Sequence, residues 1–455
     1  MPASSLRRNL RLCTYDGLAA TPIVYLVQPG NFIIAALLVE RFHLPPDLYG
    51  LIVSLPFWAN FAQAFLMPFI NTRLSPKGVS VTSSALQALC WVVLTLMISF
   101  LPVDRPGESG PWFLAIFAVS AIITSLTGVS WISWVQEWIP VRLRGKYFGR
   151  RNRLLQTAQV ISLISASLLI SHLTGSVRAF QWLLIGTILL RVASVLFQQG
   201  IKASTTEVSQ IEAKTSSSAQ LRALIHTPAF LWLVAYGAGW GFATSCFGPF
   251  YPLFMYNSLG FSVQHVGILI VLASLGGALS SPAWGVLADR FGNKPVMLFC
   301  MIIWQLENLL WCIITPGNAW LLYGMWIFGG IVNAGFALSL FNIQLKVIPP
   351  KAKTVAISVN LAVTSLVTAV APIIGGVVLR HMLTGSNALA VYHSVFLVMP
   401  ILALLSCFML VKVHEPSASP LSSVVGAMRN IRTLSGLFGA SFLVDYIFVK
   451  SSDKR

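Results

Sequence analysis

Twelve apolar stretches, each close to the ~20 residues a helix needs to cross the hydrocarbon of a bilayer, constrain what this chain can fold into. They run at about 14–40, 48–70, 79–101, 112–136, 155–173, 178–198, 229–256, 263–287, 295–315, 320–346, 354–380 and 390–412. None shows the sustained alternation of barrel strands, and helices and closed barrels are the structures that satisfy backbone hydrogen bonds in lipid. The expected fold is therefore an all-α membrane protein with 12 transmembrane helices. Composition excludes a soluble alternative: 56% of the residues are hydrophobic and 9% are charged, where soluble domains carry ~25% charged residues.

The net charge of +17 invites a nucleic-acid reading, but most basic residues lie in short segments between the apolar stretches, where they act as topological signals. One side collects Arg7, Arg8, Arg11, Arg73, Lys77, the run Arg142 to Arg153, Lys202, Lys214, Arg222, Arg290, Lys294, Lys346, Lys351 and Lys353. The other side holds Arg41, Arg105, Arg178 and Arg380. Both termini are expected in the cytoplasm, with the protein multi-pass in a bacterial plasma (inner) membrane, no cleaved signal peptide and no nucleic-acid partner. The six cysteines fall almost entirely within apolar stretches and lack CxxC spacing, so neither a disulfide framework, a metal site nor a cofactor is expected.

One long polar interruption, residues 199–226, divides the chain into two sets of six spans. The expected organisation is an N-terminal six-helix bundle over 1–198, a cytoplasmic linker over 199–226, a C-terminal six-helix bundle over 227–412 and a cytoplasmic tail over 413–455. The sets resemble each other: TRLSPKGV at Thr72 aligns with DRFGNKPV at Asp289, and IPVRLRGK at Ile139 with IPPKAKTV at Ile348. Parallel six-helix repeats are a common transporter design, with the binding site near the bilayer midplane.

The stretch GVLADRFGNKPV combines a small residue for close helix approach (Gly285), a turn glycine (Gly292) and an acid at a helix end (Asp289) beside Arg290 and Lys294. An acid there can accept bonds from a neighbouring helix N-terminus or from Arg290 and Lys351, contacts that break when that face opens. The stretch resembles the G-x-L-x-D-R-x-G-R-K loop signature of the major facilitator superfamily, with Asn293 where an Arg is usual. The loop after the second span departs from it at Pro68 and Thr72. Pro140, Arg144 and Gly145 in IPVRLRGK and the APIIGG run from Ala371 add to the resemblance, which covers about residues 10–412. It implies two pseudo-symmetric six-helix bundles, a gating role for Gly285, Asp289, Arg290, Gly292, Lys294, Arg144 and Gly145, and a cavity lined chiefly by helices 1, 4, 7 and 10.

Polar and aromatic residues near the middles of those helices are the candidate substrate contacts: Gln28, Asn31, Trp131, Trp134, Tyr236, Trp240, Thr244 and Asn333. Amides serve polar substrate groups and aromatic faces stack on rings. Ionisable groups are costly in lipid, which makes Glu307, Arg191 and Asp16 candidate coupling residues. The resemblance places Arg191 and Glu307 on supporting helices, and Asp16 lies near a span end from which it can snorkel to water. Pro29-Gly30, Pro249, Pro252 and Pro372-Gly375-Gly376 mark expected bends. After the last span, Leu421, Val424, Val425, Met428, Ile431 and Leu434 recur at helical spacing, the pattern of an amphipathic helix on the inner leaflet.

The expected function is secondary active or facilitative transport of a small organic solute by alternating access, by a monomer, with a coupling ion such as H+. No HExxH, GxSxG or ATPase signature occurs, so no catalytic residues are assigned. A sensing or assembly role on a transporter fold and a membrane-embedded lipid or acyl transferase are the competing expectations.

Overall fold

The computed structural model describes residues 3–26, 28, 30–71, 74–173, 176–202, 221–222, 224–347, 353–415 and 418–429. Eleven helices among them are long and apolar enough to cross a membrane. The remaining predicted span, 14–40, is divided. Helix α1 (Ala3–Leu26) ends before Gly30, α2 (Phe32–Ala35) follows, and a π-helical turn covers Ala36–Arg41. Asn31 holds the break: its Oδ1 accepts from the Ile33 N–H at 2.9 Å, and its Nδ2 donates to the Tyr25 carbonyl at 2.9 Å. One side chain thus satisfies backbone groups on both sides, as a helix end in lipid requires.

The other helices begin where the sequence supplies a cap or a proline. They are α3 (Pro46–Asn71), α4 (Pro76–Met97), α5 (Pro106–Trp138), α6 (Val141–His172) and α7 (Val177–Gly200). Ser75 accepts from the Gly78 N–H at 3.2 Å at the start of α4, and Ser176 does the same for α7 from Ala179 at 3.4 Å. Next come α8 (Pro228–Phe247), a 3-10 turn at Gly248–Phe250, α9 (Tyr251–Asn257), α10 (Val263–Phe291) and α11 (Asn293–Asn308). A 3-10 turn at Leu309–Ile313 precedes α12 (Leu321–Val347), α13 (Lys353–Leu383), α14 (Ala388–Lys412) and α15 (Leu421–Arg429).

Helix α6 corrects one expectation. The Arg-rich segment preceding the predicted span at 155 is helical from Val141 onward. Arg150, Arg151 and Arg153 therefore stand on a continuous helix, because nothing between Pro140 and the apolar stretch breaks it. The expected bend at Pro249 falls on the 3-10 turn, whereas α13 runs uninterrupted through Pro372.

The chain forms two compact units. The first takes in Met1–Ser216, Ser245–Ile268 and Leu361–Val391; the second takes in Ser217–Thr244, Leu269–Asn360 and Tyr392–Arg455. In the first, α1 packs against α6 and α7, and α4 against α5 and α7. Helices also meet at close range there: a Cβ on Gly375 would collide with the Cys246 carbonyl, and one on Gly50 with the Pro372 carbonyl. Arg380 pairs with Asp47 beside these contacts, and the Tyr256 hydroxyl donates to the Phe32 carbonyl at 2.9 Å.

In the second unit α11 packs against α12 and α15. Val424 is buried, and Leu421 and Met428 pack on the same apolar cluster as Val296 and Met297. The apolar face of the tail helix is thus spent on protein, where a free lipid-facing helix was expected; protein packing there offers the shape match that lipid does not. Ile431, Leu434 and the rest of the tail lie outside the described residues, as does most of the predicted linker, 203–220. Large apolar side chains such as Leu279 and Phe408 are 77% and 70% exposed, the outward surface of a protein solvated by lipid.

Candidate functional site

Helix α7 carries Arg191, Ser194 and Gln198 at a spacing that aligns them on one face. Helix α4 does the same with Ser80, Ser84 and Gln87. Where these faces meet α1, they surround Asp16, which is 2% exposed. Its Oδ1 accepts from the Ser194 hydroxyl at 2.7 Å and from Gln198 Nε2 at 2.9 Å, and its Oδ2 accepts from the Trp131 indole N–H at 2.9 Å. Arg191, 3% exposed, donates to Ser194 at 3.2 Å and to Ser84 at 2.9 Å. Ser80 closes the network by donating to Gln198 Oε1 at 3.2 Å. Acid and guanidinium are joined through a serine, which spreads the cost of holding two charges in an apolar bundle over many polar contacts.

Arg151 reaches the same place from α6. Its guanidinium carbon lies 4.5 Å from the centre of the Trp131 ring, and its Nε donates to the Cys13 carbonyl at 3.3 Å. Gly17 makes room for it, since a Cβ there would strike the guanidinium. Asp16, Trp131, Arg151, Arg191, Gln198 and Gln87 line a cavity of about 460 Å³. A second cavity of about 560 Å³ shares Val24, Gln87, Thr124, Gly128 and Ile132 with it, and is lined further by Gln28, Asn60, Gln63, Trp91 and Pro249. Gln87 stands at their junction, its Nε2 donating to Thr124 at 2.8 Å and its Oε1 without a partner among the described residues. Such a chamber, apolar with a few convergent polar groups, has the usual character of a small-molecule site.

Of the predicted substrate contacts, Gln28 and Trp131 line these cavities. Asn31 is occupied by the helix break. Trp134 and Tyr236 are 1% and 0% exposed and belong to apolar cores; the Tyr236 hydroxyl faces Met301 Sδ at 3.7 Å. In the second unit, Trp240 packs against Phe336 and Trp304 at ring distances of 4.9 and 5.6 Å, Thr244 bonds back to the Trp240 carbonyl at 2.9 Å, and Asn333 is exposed. Glu307 is half-buried near Gly329. Asp16 is buried and hydrogen-bonded, so the expectation that it snorkels to water is corrected. Arg191, expected on a supporting helix, lines the cavity. Arg151, Ser84, Ser194, Gln198 and Gln87 were not anticipated; the polar spacing along α4 and α7 was the available signal.

The loop after α10 is held by a residue outside the signature. Gly292 takes a φ of 97°, the left-handed conformation that favours glycine. Glu415, whose side chain is 1% exposed, lies against the start of α11. Its Oε1 accepts from Asn293 Nδ2 at 2.9 Å, the Asn293 N–H at 3.2 Å and Lys346 Nζ at 2.8 Å, while its Oε2 accepts from the Lys294 N–H at 2.7 Å. Burial pushes its carboxyl up, but the bonds from Lys346, Asn293 and the two N–H groups outweigh that and leave it below its ordinary value. Lys294 Nζ donates to the Val411 carbonyl at 2.6 Å. Asp289 and Arg290 are exposed, and Asp289 makes no ion pair among the described residues. The acid that caps the neighbouring helix is therefore Glu415; Lys351, a suggested partner of Asp289, lies outside the described residues. Gly285 has open space where a Cβ would point, so close helix approach does not account for it here. Arg144 donates to the carbonyls of Ile139 at 2.9 Å and Gln136 at 2.5 Å, closing the end of α5, and Gly145 follows on α6.

Comparison with known proteins gives this arrangement its context. A 62-residue stretch is 42% identical to the multi-drug resistance efflux pump PmrA of Streptococcus pneumoniae, spanning 13% of this chain and 15% of that protein. Over 258 residues the chain is 25% identical to the uncharacterized MFS-type transporter Rv2994 of Mycobacterium tuberculosis, 55% of this chain and 52% of that one. The chain thus spans at most about half the length of these relatives. Among solved structures it is similar in fold to the nucleoside transporter NupG, with a TM-score of 0.65 and 16% identity over 91% of this chain and 99% of that one. It is also similar to a D-xylose-proton symporter, with a TM-score of 0.66 and 14% identity over 91% and 99%. The family model of the Major Facilitator Superfamily matches residues 23–245 and 237–450. This multi-pass membrane protein belongs to the Major Facilitator Superfamily.

Proposed function

We propose that the chain is a carrier rather than an enzyme, moving a small organic solute across a bacterial inner membrane by alternating access, with both termini cytoplasmic and one chain as the working unit. The observation that carries this reading is the pair of adjoining cavities, one built around Asp16, Arg151 and Arg191 and the other lined by uncharged residues, which share walls on helices α1, α4 and α5. In the alternating-access reading, the close contacts of Gly50 and Gly375 and the Asp47–Arg380 pair form the outer closure. The inner face is governed by the loop Gly285 to Lys294, with Glu415 as its capping acid, and by Arg144 and Gly145. A coupling proton would sit at Asp16 or Glu307, the acids in the candidate coupling set.

Purified protein in liposomes tests the reading. A solute of one class is expected to move faster than in protein-free vesicles and to accumulate against its gradient when a pH gradient is imposed. Absence of flux across sugars, nucleosides, organic acids and amphipathic solutes overturns it.

A further inference from the structure

The cavity around Asp16 has a charge balance that the protein itself leaves open. Its charged residues are Asp16, Arg151 and Arg191. Arg191 and Asp16 answer each other through Ser194. Arg151 has no such counterpart: it is 8% exposed, and its neighbours are the Cys13 carbonyl and the face of Trp131. No carboxylate among the described residues lies within ion-pair distance of it. A neutral carbonyl and an aromatic face lower the energy of a guanidinium without cancelling its charge, and an uncompensated charge in a low-dielectric site is costly.

Two further groups from residues lining this cavity also lack partners among the described residues. Among the described residues Arg191 Nε and Gln87 Oε1 have no hydrogen-bond partner, and both residues are more than nine-tenths buried. One is a donor beside the cationic end, and the other is an acceptor at the junction with the second cavity. Buried polar atoms are nearly always satisfied, and because both residues line the cavity, a small rotation of either side chain would turn its open atom toward a ligand.

We propose that this cavity binds a small organic monoanion, with its carboxylate on Arg151 and a hydroxyl or amide N–H donating to Gln87 Oε1. The inference rests on the carrier reading and names its substrate class. One carboxylate neutralises the excess charge; an organic cation would double the excess, and a dianion would reverse its sign. Planar guanidinium and carboxylate groups match in a two-bond fork. Ile132 and Leu155 offer the body of the solute an apolar wall, and a volume of about 460 Å³ accommodates a small ring or short chain.

The test compares acids with their neutral isosteres on the full chain in detergent: 4-hydroxybenzoate against 4-hydroxybenzamide, and mandelate against mandelamide, by thermal shift and calorimetric titration. At least one acid is expected to bind while its amide does not. Arg151→Gln should weaken the acid by ~10- to 100-fold, and Arg151→Lys by less. Gly17→Ala, which displaces the guanidinium without removing charge, should also weaken it. Arg150→Gln, one residue away and exposed, should leave binding unchanged. Arg151→Lys and Gly17→Ala keep the test available if Arg151→Gln does not fold. Equal binding of acid and amide, equal loss of both in Arg151→Gln, or no binding by either acid overturns the proposal. Flux of neutral solutes that survives Arg151→Gln, without acid binding, overturns the anion site and leaves the carrier reading standing. Acid binding without flux of any solute does the reverse.

Discussion

Asp16 occupies a membrane helix with its carboxylate bonded to Ser194, Gln198 and Trp131. Asp16→Asn leaves two guanidiniums on the cavity wall without a counter-charge, and breaking a buried charge group typically costs about 3–5 kcal/mol. The double variant Asp16→Asn with Arg191→Met should recover most of that loss, which a thermal-denaturation double-mutant cycle reads directly. Glu415 gives a pH prediction. Its carboxyl is held below its ordinary value of 4.5, so it contributes stability that is complete above that value and is lost as pH falls through the lower folded-state value. Glu415→Gln should flatten that acid limb of the stability profile and lower stability at neutral pH by about 2 kcal/mol. At this scale the sequence was partly legible. Asp16 and Arg191 stood out because charges are rare in apolar stretches, whereas Arg151 was hidden among topogenic neighbours. Glu415 lay outside the recognised loop, and no sequence spacing ties it to Asn293.

Helix positions follow from hydrophobic length, so most spans were legible to within a few residues; the polar first turns of α6 and the local breaks were not. Gly30 falls in the break of the first span, with Asn31 as its fastener, while Pro29 lies outside the described residues. Pro372 bends nothing out of the helical class, since α13 continues through it. Its importance, with Gly375, is steric: α13 approaches the Cys246 carbonyl so closely that a methyl group does not fit. Gly375→Ala should force these elements apart at a cost of about 1–3 kcal/mol. Cys246 is 3% exposed, and its labelling by maleimide should rise roughly tenfold as the packing loosens. Unchanged labelling would mean that the neighbouring backbone absorbs the methyl group without opening.

At the scale of the whole molecule, the proposed carrier reading is tested most sharply by coupling. If the proposed coupling proton sits at Glu307, Glu307→Gln abolishes accumulation driven by a pH gradient and leaves downhill flux in place; unchanged accumulation removes Glu307 as the coupling group. The two-repeat organisation and the loop signature made the superfamily legible from the sequence, because both are linear patterns. The cavity was not, because it is assembled from positions on five helices whose side chains are unremarkable one at a time. Two guanidiniums facing one carboxylate also give the empty and loaded protein different electrical character. Each elementary charge moved through the full field of a membrane polarised by 100 mV changes its free energy by ~2.3 kcal/mol. With a monoanion bound, the site carries no net charge for that field to act on. With the site vacant, one positive charge remains, so on the proposed carrier reading voltage would bias the return of the unloaded protein and leave the loaded passage nearly indifferent to it.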